Sequence, residues 1–259
     1  MKKFLTLLAA LAFAAAACAQ APKPLKVLLV TGGGFHDYEA QKKTLVEGLN
    51  ARLNIDLTVA HEGTTREHRH SLYEKADWAA GYDVVIHNEC FGMVADKDFV
   101  ERVAAPHKAG VPAVILHASV HSFRNAPTDE WRQVIGQRSM SHEGRRDLKI
   151  QVLDTAHPVM KAAPTEWVSA VDELYKIEKT WPNVVPLAKS YGQETKTDHV
   201  VVWTNTYGKG RSFVTTLGHF DATMKTPEFL DLVARGLLWA TGKLGADGKA
   251  LPGYAKTAK

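Results

Sequence analysis

The chain has 259 residues, with 32 Lys and Arg against 28 Asp and Glu, a formal charge of +4, and two cysteines. That length holds one large α/β domain or two small ones. So few cysteines exclude a disulfide framework, and so weak a charge, with no basic–aromatic stripe, excludes a nucleic-acid surface.

In chain order, the first element is a targeting segment. Lys2 and Lys3 precede an apolar stretch from Phe4 to Ala17, and Ala17-Cys18-Ala19 supplies small residues at the cleavage positions. Residues 1–19 therefore read as a signal peptide cut before Gln20. A second reading makes Cys18 a lipid anchor after Ala15-Ala16-Ala17, although a lipobox usually carries Leu where Ala15 stands. Both readings export the protein, to a bacterial periplasm or beyond. Taking Lys2 and Lys3 from +4 leaves +2. No later run is long and apolar enough to span a bilayer.

Beyond the leader, strands alternate with helices. Lys26–Thr31 predicts a strand, Tyr38–Leu53 a helix with Leu45, Val46, Leu49 and Leu53 on one face, and Ile55–Ala60 a second strand. His61 to His70 is polar and predicts a solvated turn. Leu72–Trp78 predicts a short helix, Tyr82–His87 a strand, Asp96–Ala109 a helix stopped by Gly110, and Pro112–Leu116 a fourth strand. This alternation implies right-handed crossovers and a parallel, doubly wound sheet. After His121 the pattern loosens. Trp131–Gly144 reads as a loop with one helical turn. Leu148–Leu153, Glu173–Glu178, Val184–Ala188, Val200–Thr204 and Ser212–Thr216 read as strands, several of them antiparallel. Pro227–Trp239 closes the domain as an amphipathic helix. The domain is expected over residues 24–242, with 243–259 as a loose polar tail.

Four strand ends finish in polar residues: Gly33, Gly34, His36 and Asp37; His87, Asn88, Glu89 and Cys90; His117, Ser119 and His121; Gly218, His219 and Asp221. In a doubly wound sheet, the carboxyl ends of parallel strands share one edge, so these groups can converge. Imidazole suits proton transfer near neutral pH, and neutral His with a carboxylate is a common zinc ligand set. Burying many polar groups is costly unless they are paired or used. His61, His68 and His70 fit a solvated face better than a metal motif. Cys90 lacks a glycine elbow and reads as an inert thiol. Trp131, Trp167, Trp181 and Trp203 read as core, with sugar stacking as the alternative. Gly32-Gly33-Gly34 lacks the G-x-G-x-x-G spacing and the Gly-Lys-Ser/Thr ending, which argues against a nucleotide; its amides remain candidates for a hydroxyl or an oxyanion.

Together, Thr31-Gly32-Gly33-Gly34-Phe35-His36-Asp37, His87-Asn88-Glu89, Leu116-His117-Ala118-Ser119, Asp172-Glu173-Leu174-Tyr175 and Gly208-Lys209-Gly210-Arg211 followed by Thr216-Leu217-Gly218-His219 resemble the ThuA-like (trehalose utilisation) family. The resemblance runs from about Lys26 to Trp239. It implies a flavodoxin-like three-layer α/β sandwich with a mostly parallel sheet, related to class I glutamine amidotransferases. In those enzymes the strand equivalent to Pro112–Leu116 leads into a cysteine elbow. Here it leads into His117-Ala118-Ser119, so thiol-based glutamine hydrolysis is not expected. Their late catalytic His-Pro-Glu run finds its counterpart in His219-Phe220-Asp221. The resemblance also implies a carbohydrate substrate, including 3-keto-glycosides.

The expectation is an exported enzyme acting on a sugar or keto-sugar by acid–base chemistry, through isomerisation or glycosidic cleavage. His219 is the base, oriented by Asp221, with Glu89 as second choice. Gly33, Gly34, His36, Asp37, Asn88, Ser119 and Glu173 are expected to bind substrate. His36, His117 and His121 are expected to hold a divalent metal such as zinc. The alternatives are a non-catalytic carbohydrate-binding protein and a zinc-dependent hydrolase.

Overall fold

In the computed structural model, residues 23–256 are described; the leader and Cys18 lie outside them. Nine strands form one sheet in the order β2-β1-β3-β4-β11-β10-β9-β6-β7. The first half consists of β1 (Leu25–Gly33), β2 (Ile55–His61), β3 (Val84–Cys90), β4 (Ala113–Leu116) and β11 (Gly210–Thr215), all paired in parallel. The second half extends it antiparallel through β10 (Asp198–Tyr207), β9 (Val185–Tyr191), β6 (Arg146–Val152) and β7 (Glu166–Asp172). A separate two-stranded ribbon pairs β5 (Gln137–His142) with β8 (Tyr175–Thr180). No helix among the described residues is long and apolar enough to cross a membrane.

Helices cover both faces. On one face lie α1 (Tyr38–Asn50) and α5 (Pro227–Ala240), whose Leu45, Leu49, Val233 and Leu237 pack with Val27, Leu29, Ile86 and Val114 of the sheet. On the other lie α2 (Lys97–Ala109) and α3 (Glu130–Ile135), where Phe99, Val103 and Trp131 meet Leu28, Val30, Val85 and Ile115. Odd and even strand positions thus feed two separate cores, as the two-residue side-chain period requires. The central strands are buried on both faces, which is why they read as continuous apolar runs.

Three parts of the chain depart from the sequence expectation. Trp131–Gly144 contains the expected helical turn, within α3, but also β5, with Gly136 in a left-handed conformation at φ 89° between them. Glu166–Asp172 forms an edge strand that was not anticipated, because its outward positions mix Trp167, Val168 and Val171 with polar residues. The tail after Gly242 is docked rather than loose as far as Lys256. Leu244 bridges Ala250, Ala255 bridges Leu53, and Lys256 N–H donates to the Arg52 carbonyl at 2.9 Å. Leu244, Ala250 and Tyr254 bury apolar surface against the main core, which offsets the entropy of ordering this segment.

Candidate active site

The carboxyl ends of β1, β3, β4 and β11 open on a cavity of about 330 Å³, lined by Phe35, His36, Cys90, His121, Arg124, His142, Arg145, Glu173, Tyr175 and His219. Each parallel strand delivers its residue where the chain leaves the sheet. His36 follows β1, Cys90 ends β3, His121 follows β4, and His219 follows β11. Glu173 comes from the antiparallel half. It follows β7, whose last residue, Asp172, accepts hydrogen bonds from the amides of Gly218 at 2.9 Å and His219 at 3.2 Å.

At the floor of the cavity three imidazoles meet one carboxylate. Glu173 Oε2 lies 3.3 Å from His219 Nδ1 and 3.6 Å from His117 Nε2, and its Oε1 lies 3.6 Å from His142 Nε2. Burial alone would raise the Glu173 pKa, but the neighbouring His117 and His219 overcome it and hold the carboxyl well below the usual carboxylate range. Proton positions follow from the partners. His117 Nδ1 faces the Thr216 carbonyl at 2.6 Å and must donate to it, so its Nε2 is bare. That nitrogen lies 3.3 Å from His219 Nδ1 and 3.4 Å from the Tyr175 hydroxyl. Because Glu173 and His117 Nε2 are both acceptors, the hydrogen between them sits on His219 Nδ1. This leaves His219 Nε2 as the free base.

His36 completes the cluster. Its Nδ1–H donates to the His219 carbonyl at 3.2 Å, and its ring stands edge-to-face 4.9 Å from His117 and 4.8 Å from His219. Burial, then the neighbouring His117 and His219, press its pKa down to about 3, so it is neutral. The backbone holding this cluster is strained, with φ 42° at His117 and φ 80° at Phe35, two non-glycine residues in the left-handed region that favours glycine. Phe35 is 65% exposed at the mouth, with the Arg66 guanidinium 5.0 Å over its ring.

His36, Glu173 and His219 therefore share the pocket as expected, with His117 beneath them. Apart from His121, the other expected site residues lie outside the cavity lining. Glu89 is fully buried below the cavity, hydrogen-bonded to Tyr73 at 3.0 Å and His87 at 2.8 Å. Along β3, strand alternation sends His87 and Glu89 toward α2, and Asn88 and Cys90 the opposite way. Asn88 donates to Gln41, and Gln41 donates to the His219 carbonyl, so Asn88 acts as support. Ser119 clamps the main chain of Glu89, accepting from its amide and donating to its carbonyl. Asp37 caps α1 by accepting from Ala40 N–H at 2.9 Å.

Asp221 does not orient His219. It opens α4 (Asp221–Met224) and binds Thr44 and Lys225, while Glu173 takes the orienting role. Gly33 and Gly34 are not oxyanion donors, because their amides are committed to the Gly63 and Cys90 carbonyls. Gly33 has φ 97°, and a Cβ there would lie 2.3 Å from the Cys90 carbonyl oxygen, so close packing explains the glycine. His121 lines the cavity but faces Ser139 at 2.9 Å and stacks on Tyr175 at 3.9 Å, apart from the His36–His117–His219 cluster. His68 pairs with Glu62 at 2.7 Å, and His70, expected on a solvated face, is buried and caps a 3-10 turn at Ser71–Glu74. Trp131 and Trp203 are core residues.

Burial pushes the Cys90 thiol up to about 11, which fits an inert thiol. Gln41, His142, Arg124, Arg145 and Tyr175 were not singled out from the sequence. Only the Asp172-Glu173-Leu174-Tyr175 run carried a signal for any of them.

This arrangement defines an α/β protein with an imidazole-lined pocket at the carboxyl edge of its parallel strands. The family model for ThuA, trehalose utilisation, matches residues 26–240, and the chain belongs to that family. A ThuA-like protein from Parabacteroides merdae is similar at 22% identity and a TM-score of 0.69, over 86% of this chain and 92% of that one. One from Bacteroides uniformis is similar at 16% identity and a TM-score of 0.66, over 88% and 96%. A GMP synthase protein from Thermoplasma acidophilum shares the fold at 11% identity and a TM-score of 0.54, over 85% and 96%. No curated protein matches significantly.

Proposed function

We propose that this chain is an exported carbohydrate-active enzyme that abstracts a proton next to the carbonyl of a keto-sugar, with a 3-keto-glycoside as its substrate class. The observation that carries this reading is the Glu173–His219 pair, 3.3 Å apart at the floor of a cavity whose mouth holds an exposed aromatic ring. A 3-keto group acidifies the C2–H of the sugar. His219 Nε2 removes that proton, and the Glu173 carboxylate stabilises the imidazolium that forms. Arg124 and Arg145, both on the cavity wall, supply positive charge for the enediolate oxygen. Returning the proton elsewhere isomerises the sugar. Expelling the C1 oxygen by elimination cleaves the glycosidic bond. Phe35 offers its face to a pyranose ring.

The family's link to trehalose utilisation supports the substrate class. The leader at residues 1–19 supports export, with Cys18 as the alternative lipid anchor. The test is incubation with 3-keto-glucosides and with the parent glucosides, followed by mass and NMR analysis. Conversion of the keto-sugar, with loss of its C2 hydrogen to solvent, supports the reading. Binding without conversion would make the protein a carbohydrate-binding module, and neither binding nor conversion would end the sugar assignment.

A further inference from the structure

We infer that His36, His117 and His219 form a divalent-cation site of the zinc class, facing the cavity with an open coordination position. One ligand nitrogen from each ring lies within 4.8 Å of the others, and His117 and His219 are buried. Two of these nitrogens, His117 Nε2 and His219 Nδ1, are 3.3 Å apart. Ligands at zinc–nitrogen distances of about 2.0–2.1 Å in a tetrahedron are separated by about 3.3 Å, so this edge is already at coordination spacing. His36, the least buried of the three, lies within 4.8 Å of both.

The outer partners favour the same reading. His36 and His117 each donate Nδ1–H to a backbone carbonyl, those of His219 and Thr216 respectively. This fixes the tautomer and turns Nε2, with its lone pair, away from the backbone, as outer-shell partners do for metal-bound histidines. Between His117 Nε2 and His219 Nδ1 the gap holds either one hydrogen or one cation, because two bare nitrogens would repel. His121 lies outside this set because its Nε2 is spent on Ser139. The set therefore differs from the expected His36–His117–His121 by exchanging His121 for His219. A bound ion would put the His219 hydrogen on Nε2, so the loaded site would offer a Lewis acid for a carbonyl oxygen in place of the His219 base. The inference rests on the pocket of the proposed reaction but not on its substrate.

The site can be tested without a turnover assay. Chelator-treated protein is titrated with zinc by calorimetry in two buffers of different ionisation enthalpy, and bound metal is measured by elemental analysis. One zinc per chain with little net proton release is expected, since the hydrogen leaving His219 Nδ1 is carried by its Nε2. His36→Ala and His117→Ala should weaken binding by more than the roughly 10–100-fold that outer partners are worth, while His142→Ala should not. Cobalt in the unaltered protein should show intense visible bands from a tetrahedral nitrogen-rich site, a readout independent of variant folding. No stoichiometric zinc, or zinc binding unchanged in folded His36→Ala and His117→Ala proteins, overturns the inference. Stoichiometric zinc in a protein that ignores keto-sugars supports the site and counts against the sugar chemistry. An active protein that binds no zinc does the reverse.

Discussion

Asp172 holds His219 by its main chain, its Oδ1 accepting from the His219 amide at 3.2 Å while Oδ2 takes Gly218 N–H at 2.9 Å. Its chain neighbour Glu173 holds the same histidine by its ring. Two consecutive carboxylates thus fix one imidazole from opposite ends. They should fail differently. Asp172→Ala strands two buried amides and should lower stability by about 2–4 kcal/mol, seen as a reduced urea midpoint. Glu173→Gln should lower the midpoint less than Asp172→Ala, losing only the carboxylate's favoured charge, and reduce kcat on a keto-sugar by about 10²–10⁴-fold. Equal stability losses in both variants would remove the distinction.

Asp221 is spent on Thr44 and Lys225. Asp221→Asn should therefore keep kcat within about threefold, while His219→Ala should lose about 10²–10⁴-fold. Steady-state rates for the two variants decide whether Asp221 or Glu173 serves the base.

Phe35 touches solvent rather than the reacting groups. Phe35→Ala should raise KM by about tenfold with kcat little changed, the signature of lost uniform binding. A drop in kcat at constant KM would place the ring in the transition state instead.

Cys90 lines the cavity with a thiol held near 11. Cys90→Ala should retain activity within about threefold, and iodoacetamide should modify the native protein slowly at about pH 7.5. Rapid alkylation with loss of turnover would restore a thiol mechanism.

Far from the pocket, His107 is buried against His87 and held down to about 3, first by desolvation and then by that neighbour. Its pKa is lower folded than unfolded, so the unfolded chain binds the extra proton as pH falls. The associated stability is present above about 6.5 and is lost toward 3, about 2–3 kcal/mol of it by pH 4.5. Urea midpoints at pH 7 and 4.5 check this, and a flat profile would mean that His107 does not titrate on unfolding.

The parallel half of the fold was legible because its strands are buried on both faces and end at glycines or histidines. The convergence of His36, His117 and His219 followed from that topology alone. Glu89 misled because choosing between Asn88 and Glu89 requires knowing which face of β3 looks toward the pocket, and a fully buried strand shows no polar alternation. The role of Glu173 stayed open because β7 carries apolar residues on its exposed face, which hides its period. Arg124, His142 and Arg145 come from irregular connections, where spacing says nothing about direction.

The start of β1 lies beside the docked tail: Leu25 N–H donates to the Asn54 carbonyl, and Asn54 N–H to that of Tyr254. Both ends of the folded body thus leave from the edge opposite the imidazole pocket. Held to a surface by either end, the molecule would stand with its mouth outward.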